Sequence, residues 1–245
     1  MTRQTRKRRS LMGPFLLLLL GVSLLVMWLQ SPERKAKRAE KYGCPEEILE
    51  FTEKYPQASA FAENYAKYRD YDEPIDISGE LEKGKIPLFL QWDYRWGYRT
   101  YGNKYMGLNG CGPTCLAMVY CGLTGDASVN PHTMAVWAND HGYYVPDAGT
   151  TRGLMSDGAE QFGLSVTETG TDEEQIRDAL NQAHPVICIV GPGDFTVGGH
   201  FIVLSGINGD GTVRVNDPNS EENSEKDWEL SRIVSQTNTS WAYCY

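Results

Sequence analysis

At 245 residues, with 41% hydrophobic and 22% charged side chains, the chain suits one ordinary core plus appendages and is too short for several large domains. A formal net charge of -9 and a pI near 5.0 exclude general nucleic-acid binding, because neutralising phosphates takes a basic surface. Six cysteines at scattered spacings form neither a zinc pattern nor the density of a disulfide-stapled miniprotein, so no metal and no other cofactor is implied.

Residues 1–10 are a basic tail carrying Arg3, Arg6, Lys7, Arg8 and Arg9, and residues 11–30 read as a transmembrane signal anchor. From Leu11 to Leu29 there is no charge over 19 residues, close to the roughly 20 that cross a bilayer as a helix. A cleaved signal peptide has a shorter apolar core, ~7–15 residues, and then a small-x-small site, which Leu25-Val26-Met27-Trp28-Leu29-Gln30 lacks. Basic residues follow the segment as well (Arg34, Lys35, Lys37, Arg38, Lys41), so the flanking charge alone does not set the orientation. The expectation is an N-terminus inside, a single pass through the cell membrane and an extracytoplasmic domain.

Residues 31–44 are a charged, helical stalk, and residues 45–85 a helical lead-in and connector. Pro45-Glu46-Glu47 opens a helix with acidic residues in its first turn, and Tyr55-Pro56 closes it. Ala58 to Tyr68 predicts a second helix with Phe61, Tyr65 and Tyr68 at helical spacing. The pair reads as packing on the flank of the main domain, without chemistry. Tyr71 to Lys85 is an acidic, turn-rich connector. Cys44 and Cys244, near the two ends of the exported part, are candidates to pair in an oxidising compartment, while Cys121 and Cys188 read as core residues.

The main domain spans residues 86–245. Ile86 to Asp93 predicts a short strand entering a loop rich in aromatics (Trp96, Tyr98, Tyr101, Tyr105) that either line a groove or cover the core. A helix apolar on nearly every side begins at Pro113, runs to about Tyr120 and is ended by Gly122 and Gly125. Further helices are predicted over Pro131–His141, Arg152–Phe162 and Asp172–Gln182. The last third changes character: residues 185–190, 200–205 and 212–217 are short, β-branched and separated by glycine-rich turns, as sheet strands are. Helices followed by antiparallel strands indicate an α+β domain.

Cys111 precedes the buried helix at the positive end of its dipole, a position that favours a thiolate; the competing reading is a small residue buried in a turn. A cysteine nucleophile needs a base and a group to orient it. Of the four histidines, His132, His141 and His184 sit at helix ends or in a loop, whereas His200 opens an apolar strand after Gly198-Gly199. A two-residue turn at Asn208-Gly209 puts His200 opposite Asp217, and a four-residue loop leaves Asp217 diagonal to it on the same face. A three-residue loop places the two on opposite faces. Asp217 taken alone reads rather as a strand terminator before Pro218, and it is the combination with Cys111 and His200 that gives it a role. The backbone N–H of Cys111 and the side-chain amide of Gln91 are the candidate oxyanion donors, Gln91 having a purely structural hydrogen bond as its alternative. Cys115, one turn further along, is the rival nucleophile.

The Gln91-Trp92-Asp93 loop, Gly110-Cys111-Gly112-Pro113-Thr114, the Gly199–Leu204 strand and Val215-Asn216-Asp217-Pro218 together resemble the C39-like family of papain-fold cysteine peptidases, a bacterial group. The resemblance covers about Ile86 to Tyr245. It implies a papain-like α+β fold with Cys111 as nucleophile at a buried helix start, His200 as general base, Asp217 as orienter and Gln91 as oxyanion donor. It also implies a peptide or protein substrate cleaved through a thioester. In the peptidase domains fused to bacteriocin exporters the glutamine stands a few residues before the cysteine, whereas here a long aromatic loop intervenes. No Gly-rich Lys-Ser/Thr phosphate loop occurs in the sequence, so it holds no ATPase of its own. A non-catalytic module binding peptide or cell-wall fragments, and amidase or transferase chemistry on the same residues, are the alternatives.

Overall fold

The computed structural model describes residues 43–245 and, ahead of them, Ser31, Arg34, Lys37, Glu40 and Lys41. The basic tail, the apolar segment and most of the stalk lie outside the described residues; among the described residues no helix is long and apolar enough to cross a membrane.

The first described helix, α1 (Glu46–Lys54), has Glu46 and Glu47 in its first turn and Lys54 in its last, both matched to the macrodipole. The second predicted helix is broken. Asn64, at φ -92 and ψ 0, splits it into α2 (Ser59–Glu63) and α3 (Tyr65–Tyr68). Its aromatics are held by the main domain: Phe61 stacks on Tyr98 at 4.6 Å, and the Tyr65 and Tyr105 hydroxyls hydrogen-bond at 3.2 Å. Residues 71–85 carry a single 3-10 turn at Ser78–Glu80.

Residues 86–93 form no strand. Pro87 has no N–H to give a ladder, and the backbone groups around it are satisfied one at a time instead. The Asn216 amide donates to Ile86 O and Pro87 O, Phe89 N–H reaches Met118 Sδ, and Gln91 N–H donates to Pro218 O at 2.7 Å. The chain then makes a small hairpin, β1 (Thr100–Tyr101) and β2 (Lys104–Tyr105), and a short helix α4 (Met106–Asn109). The aromatic loop covers the core: Trp96, Tyr98 and Tyr101 are buried.

The central helix α5 (Cys111–Thr124) begins two residues before Pro113 and passes through Gly122. Gly122 is a packing residue, because a Cβ there would lie 2.8 Å from Ile86 Cα and 3.0 Å from Lys85 O. Termination falls to Gly125, which takes the left-handed conformation at φ 76 that L-residues avoid. Next come α6 (Pro131–Asp140), capped by the Asn130 side chain, and the hairpin β3 (Tyr144–Val145) and β4 (Gly149–Thr150). The predicted 152–162 helix is a 3-10 turn followed by α7 (Asp157–Gln161).

The remaining elements are β5 (Ser165–Glu168), α8 (Glu173–Asn181), β6 (Val186–Val190), β7 (His200–Ile207), β8 (Val213–Asn216), α9 (Glu221–Ser224), β9 (Asp227–Trp228), α10 (Leu230–Val234) and β10 (Thr237–Cys244). Six strands make one antiparallel sheet in the order β5-β10-β6-β7-β8-β9. The α+β class is as expected, and two features of the sheet go beyond what the sequence reading described. β5 and the eight-residue β10, which pairs with both β5 and β6, carry no apolar alternation that announces them: β10 opens Thr237-Asn238-Thr239-Ser240. Its buried hydroxyls are tolerated because they are bonded, Ser240 Oγ with Thr169 Oγ1 at 2.8 Å and to Gly170 O at 2.7 Å. Helices also cover both faces: Leu116 and Met118 of α5 pack with Ile187, Phe201, Val203 and Trp241, while α8 and α10 pack on Cys188, Ile202, Leu204 and Val215. The candidate Cys44–Cys244 pair is not joined. Both are free thiols, Cys44 packed beside α1 with Ile48 and Tyr98, and Cys244 on β10 opposite Ser165.

Candidate active site

Cys111 is the first residue of α5, and Gly110 before it joins α4 to α5 at φ -85 and ψ 15. A Cβ at Gly110 would lie 2.6 Å from Met106 O, so only glycine allows the two helices to meet this closely. Gly112 does the same for β4, where Thr150 Oγ1 would be 2.6 Å from an added Cβ. Cys111 is partly exposed between these two small neighbours, at the start of a helix whose residues 112–119, 121 and 122 are buried.

His200 is the first residue of β7, paired with Val190, and is 7% exposed. Its Nε2 is 2.7 Å from Oδ1 of the fully buried Asp217. That leaves Nδ1 as the ring nitrogen available to Cys111, which lines the same cleft and whose thiol the ring holds down. Asp217 is itself held: Oδ1 also accepts the Asn219 N–H at 2.9 Å, and Oδ2 accepts the Asn223 side-chain amide at 2.8 Å. Asn219 is foreshadowed by the turn chemistry of Asp-Pro-Asn-Ser, whereas nothing in the sequence marks Asn223.

The register joining His200 to Asp217 differs from each expected loop. Ile207 pairs with Val213 across a five-residue loop, a spacing that carried inward would put Asp217 and His200 on opposite faces. A β-bulge between Leu204 and Gly206 absorbs one residue, and beyond it Val203 pairs with Asn216. One step further, Asp217 falls diagonal to His200 on the same face. The geometry sought from a four-residue loop is therefore reached by five loop residues and Ser205.

The electrostatics follow from these contacts. Burial pushes the Cys111 thiol up, but the His200 ring and the N–H groups of Phe201 and Gly112 outweigh it and hold the thiol below its usual value. Burial alone lowers His200; the Asp217 carboxylate, with Cys111, reverses this and pushes the ring up to about 10. The two shifts run in opposite directions, thiol down and ring up, and both favour the thiolate–imidazolium form over the neutral pair. Cys115 is fully buried, and desolvation, with the charges of Cys111 and Asp217, holds its thiol far above the ordinary value. The remaining histidines lie elsewhere: His141, for one, stacks on Trp137 at 4.1 Å and bonds its carbonyl.

Gln91 lines the same cleft as Cys111 and His200. Its Nε2 donates to Gly107 O at 2.9 Å, and its buried Oε1 has no hydrogen-bond partner among the described residues. A second Nε2 hydrogen is left for another acceptor. Trp92 Nε1 bonds Asn219 O at 3.3 Å, tying this loop to the Asp217 turn.

The cleft has a volume of about 780 Å³. Besides the residues above, residues 147–152 around β4 and Thr196, Gly198 and Gly199 before His200 line it. So does α1, which the sequence reading leaves on the flank: Glu47, Glu50, Phe51 and Lys54 all face the cleft.

No curated protein matches the chain. Among solved structures it is similar to the crystal structure of the peptidase domain of Streptococcus ComA, a bi-functional ABC transporter involved in a quorum sensing pathway, at 19% identity and a TM-score of 0.42. That similarity covers 56% of this chain and 91% of the other. Residues 83–245 match the family model described as the Peptidase_C39 like family, and the chain belongs to that family, whose chemistry is of the cysteine peptidase type.

Proposed function

We propose that the chain is a cysteine peptidase anchored in the membrane, with its catalytic domain outside the cytoplasm, hydrolysing a peptide or amide bond through a thioester. The observation that carries this reading is the convergence of Cys111 and His200 on one cleft, with the ring held at 2.7 Å by the buried Asp217 carboxylate. In this mechanism the Cys111 thiolate attacks the substrate carbonyl carbon, and the oxygen becomes an oxyanion facing the Cys111 N–H and the Gln91 amide. Collapse breaks the C–N bond, and the His200 imidazolium gives its proton to the departing amine. Neutral His200 then takes a proton from water, whose oxygen attacks the thioester. The acid is released and the thiolate and imidazolium are restored. Asp217 keeps Nδ1 aimed at the sulfur throughout by holding Nε2. The anchor rests on the uncharged Leu11–Leu29 stretch behind its basic tail.

The test is turnover of a peptide library with mass analysis of the enzyme. Wild type is expected to cleave and to accumulate an acyl adduct on Cys111, and Cys111→Ala and His200→Ala to lose cleavage by at least about 10³-fold. Cleavage surviving Cys111→Ala rejects the assignment. Peptide binding without turnover by wild type identifies a binding module instead, and transfer of the acyl group to an added amine a transferase.

A further inference from the structure

The family match begins at residue 83, yet α1, at residues 46–54, lines the cleft that holds Cys111. Its cleft residues Glu47, Glu50, Phe51 and Lys54 follow the i, i+3, i+4, i+7 spacing of one helix stripe. A different side of the helix, with Ile48 and Thr52 buried, docks it on the domain. Two bonds fix the cleft side in place. Tyr55 OH is 3.2 Å from Thr196 Oγ1, which accepts the Gly198 N–H just before His200. Lys104 Nζ meets Glu47 Oε2 at 3.0 Å. That pair neutralises Glu47, and Glu50 and Lys54 carry opposite charges, so the stripe has little net charge with which to sort substrates. What it offers is Phe51, half-buried, edge-on to Phe61 at 6.4 Å and in the same cleft as Leu108, Ile189 and Phe201.

We infer that α1 is a substrate-selecting wall of the cleft, in which Phe51 receives an apolar side chain of the peptide. The inference rests on the peptidase reading and assigns specificity to a segment outside the matched family domain. Phe51 packs at the edge of the Ile48 cluster and stays partly open to the cleft that holds the nucleophile, where apolar residues of α4, β6 and β7 line the same space.

The test uses the full chain and peptidyl acyloxymethyl ketones that differ in one residue (Gly, Ala, Leu or Phe), with adducts at Cys111 read by mass spectrometry. Iodoacetamide, which needs no peptide site, is the control. Wild type is expected to react at least tenfold faster with the Leu or Phe reagent than with the Gly reagent, and Phe51→Ala to erase about tenfold of that preference. Its iodoacetamide rate should stay within about twofold of wild type. An unchanged preference in Phe51→Ala, or no apolar preference in wild type, overturns the inference. If Phe51→Ala misfolds, seen as iodoacetamide reaching Cys115, the decision passes to Phe51→Trp: it keeps the aromatic packing, fills the cleft and must shift preference toward Gly and Ala, and an unshifted order is decisive against. Failure of every peptide reagent on wild-type Cys111 while iodoacetamide still reacts defeats the peptidase reading itself.

Discussion

The Cys111–His200 pair titrates as a unit, and its two shifts define a pH window. The thiol is held below its usual value and the ring pushed up to about 10, so the thiolate persists with its counter-charge from that lowered thiol value up to about pH 10. Alkylation of Cys111 by iodoacetamide should therefore be nearly flat between that lowered thiol value and about pH 10. It should fall as pH drops through the lowered thiol value and change again only as His200 loses its proton near the top of the range. Without the ring, burial is the leading influence on the thiol and pushes it up. In His200→Ala the plateau should vanish, with alkylation rising steadily toward high pH, while Cys115 stays unlabelled in the native protein. A plateau that survives the substitution disproves the ion pair. At this scale much is legible in the primary structure: a cysteine ahead of a buried helix, one histidine opening a strand after two glycines, and an Asp-Pro turn. Asn223, which donates to Asp217 Oδ2, is not, because its partner lies six residues away across an irregular turn with no pattern of its own.

Among the elements, the β7–β8 hairpin matters most for the site. Parity decides which face a strand residue occupies, and here the five-residue loop and the bulge at Ser205 act together. Deleting Ser205 leaves Leu204↔Val215 and Val203↔Asn216 paired, so Cys111 reactivity and turnover should stay within a few-fold of wild type. Deleting Arg214 moves every later residue of β8 by one position and carries Asp217 out of diagonal reach of His200, which should abolish the alkylation plateau. If both deletions behave alike, register is not what joins the two residues. Strand identity in this hairpin is readable from β-branched runs, but the bulge is not, since nothing in Leu204-Ser205-Gly206 marks which residue the ladder skips. Residues 86–93 teach the converse lesson. Their apolar run reads as a strand, yet Pro87 and the Asn216 amide turn it into an unpaired crossing over the end of β8.

For the whole molecule, the lead-in segment joins the membrane question to the cleft. If residues 11–30 are an uncleaved anchor, the full chain should stay in the membrane pellet through alkaline carbonate extraction. Deleting residues 1–30 should release it with unchanged Cys111 reactivity, and added protease should reach the domain from the outer side. A mature chain that begins near residue 31 would disprove the anchor. Local patterns reach far: the hydrophobic periodicity of α5, the acidic first turns of α1 and α8 and the β-branched runs of β6 to β8 state the α+β class and bring Cys111, His200 and Asp217 into one argument. They do so because propensity, capping and alternation act over fewer than about ten residues. The insertion of β10 between β5 and β6, the bulge that sets the Asp217 face and the docking of α1 along the cleft were decided only in three dimensions. Each depends on contacts between residues tens of positions apart, such as Ser240 with Thr169 or Tyr55 with Thr196, whose energies no local window contains.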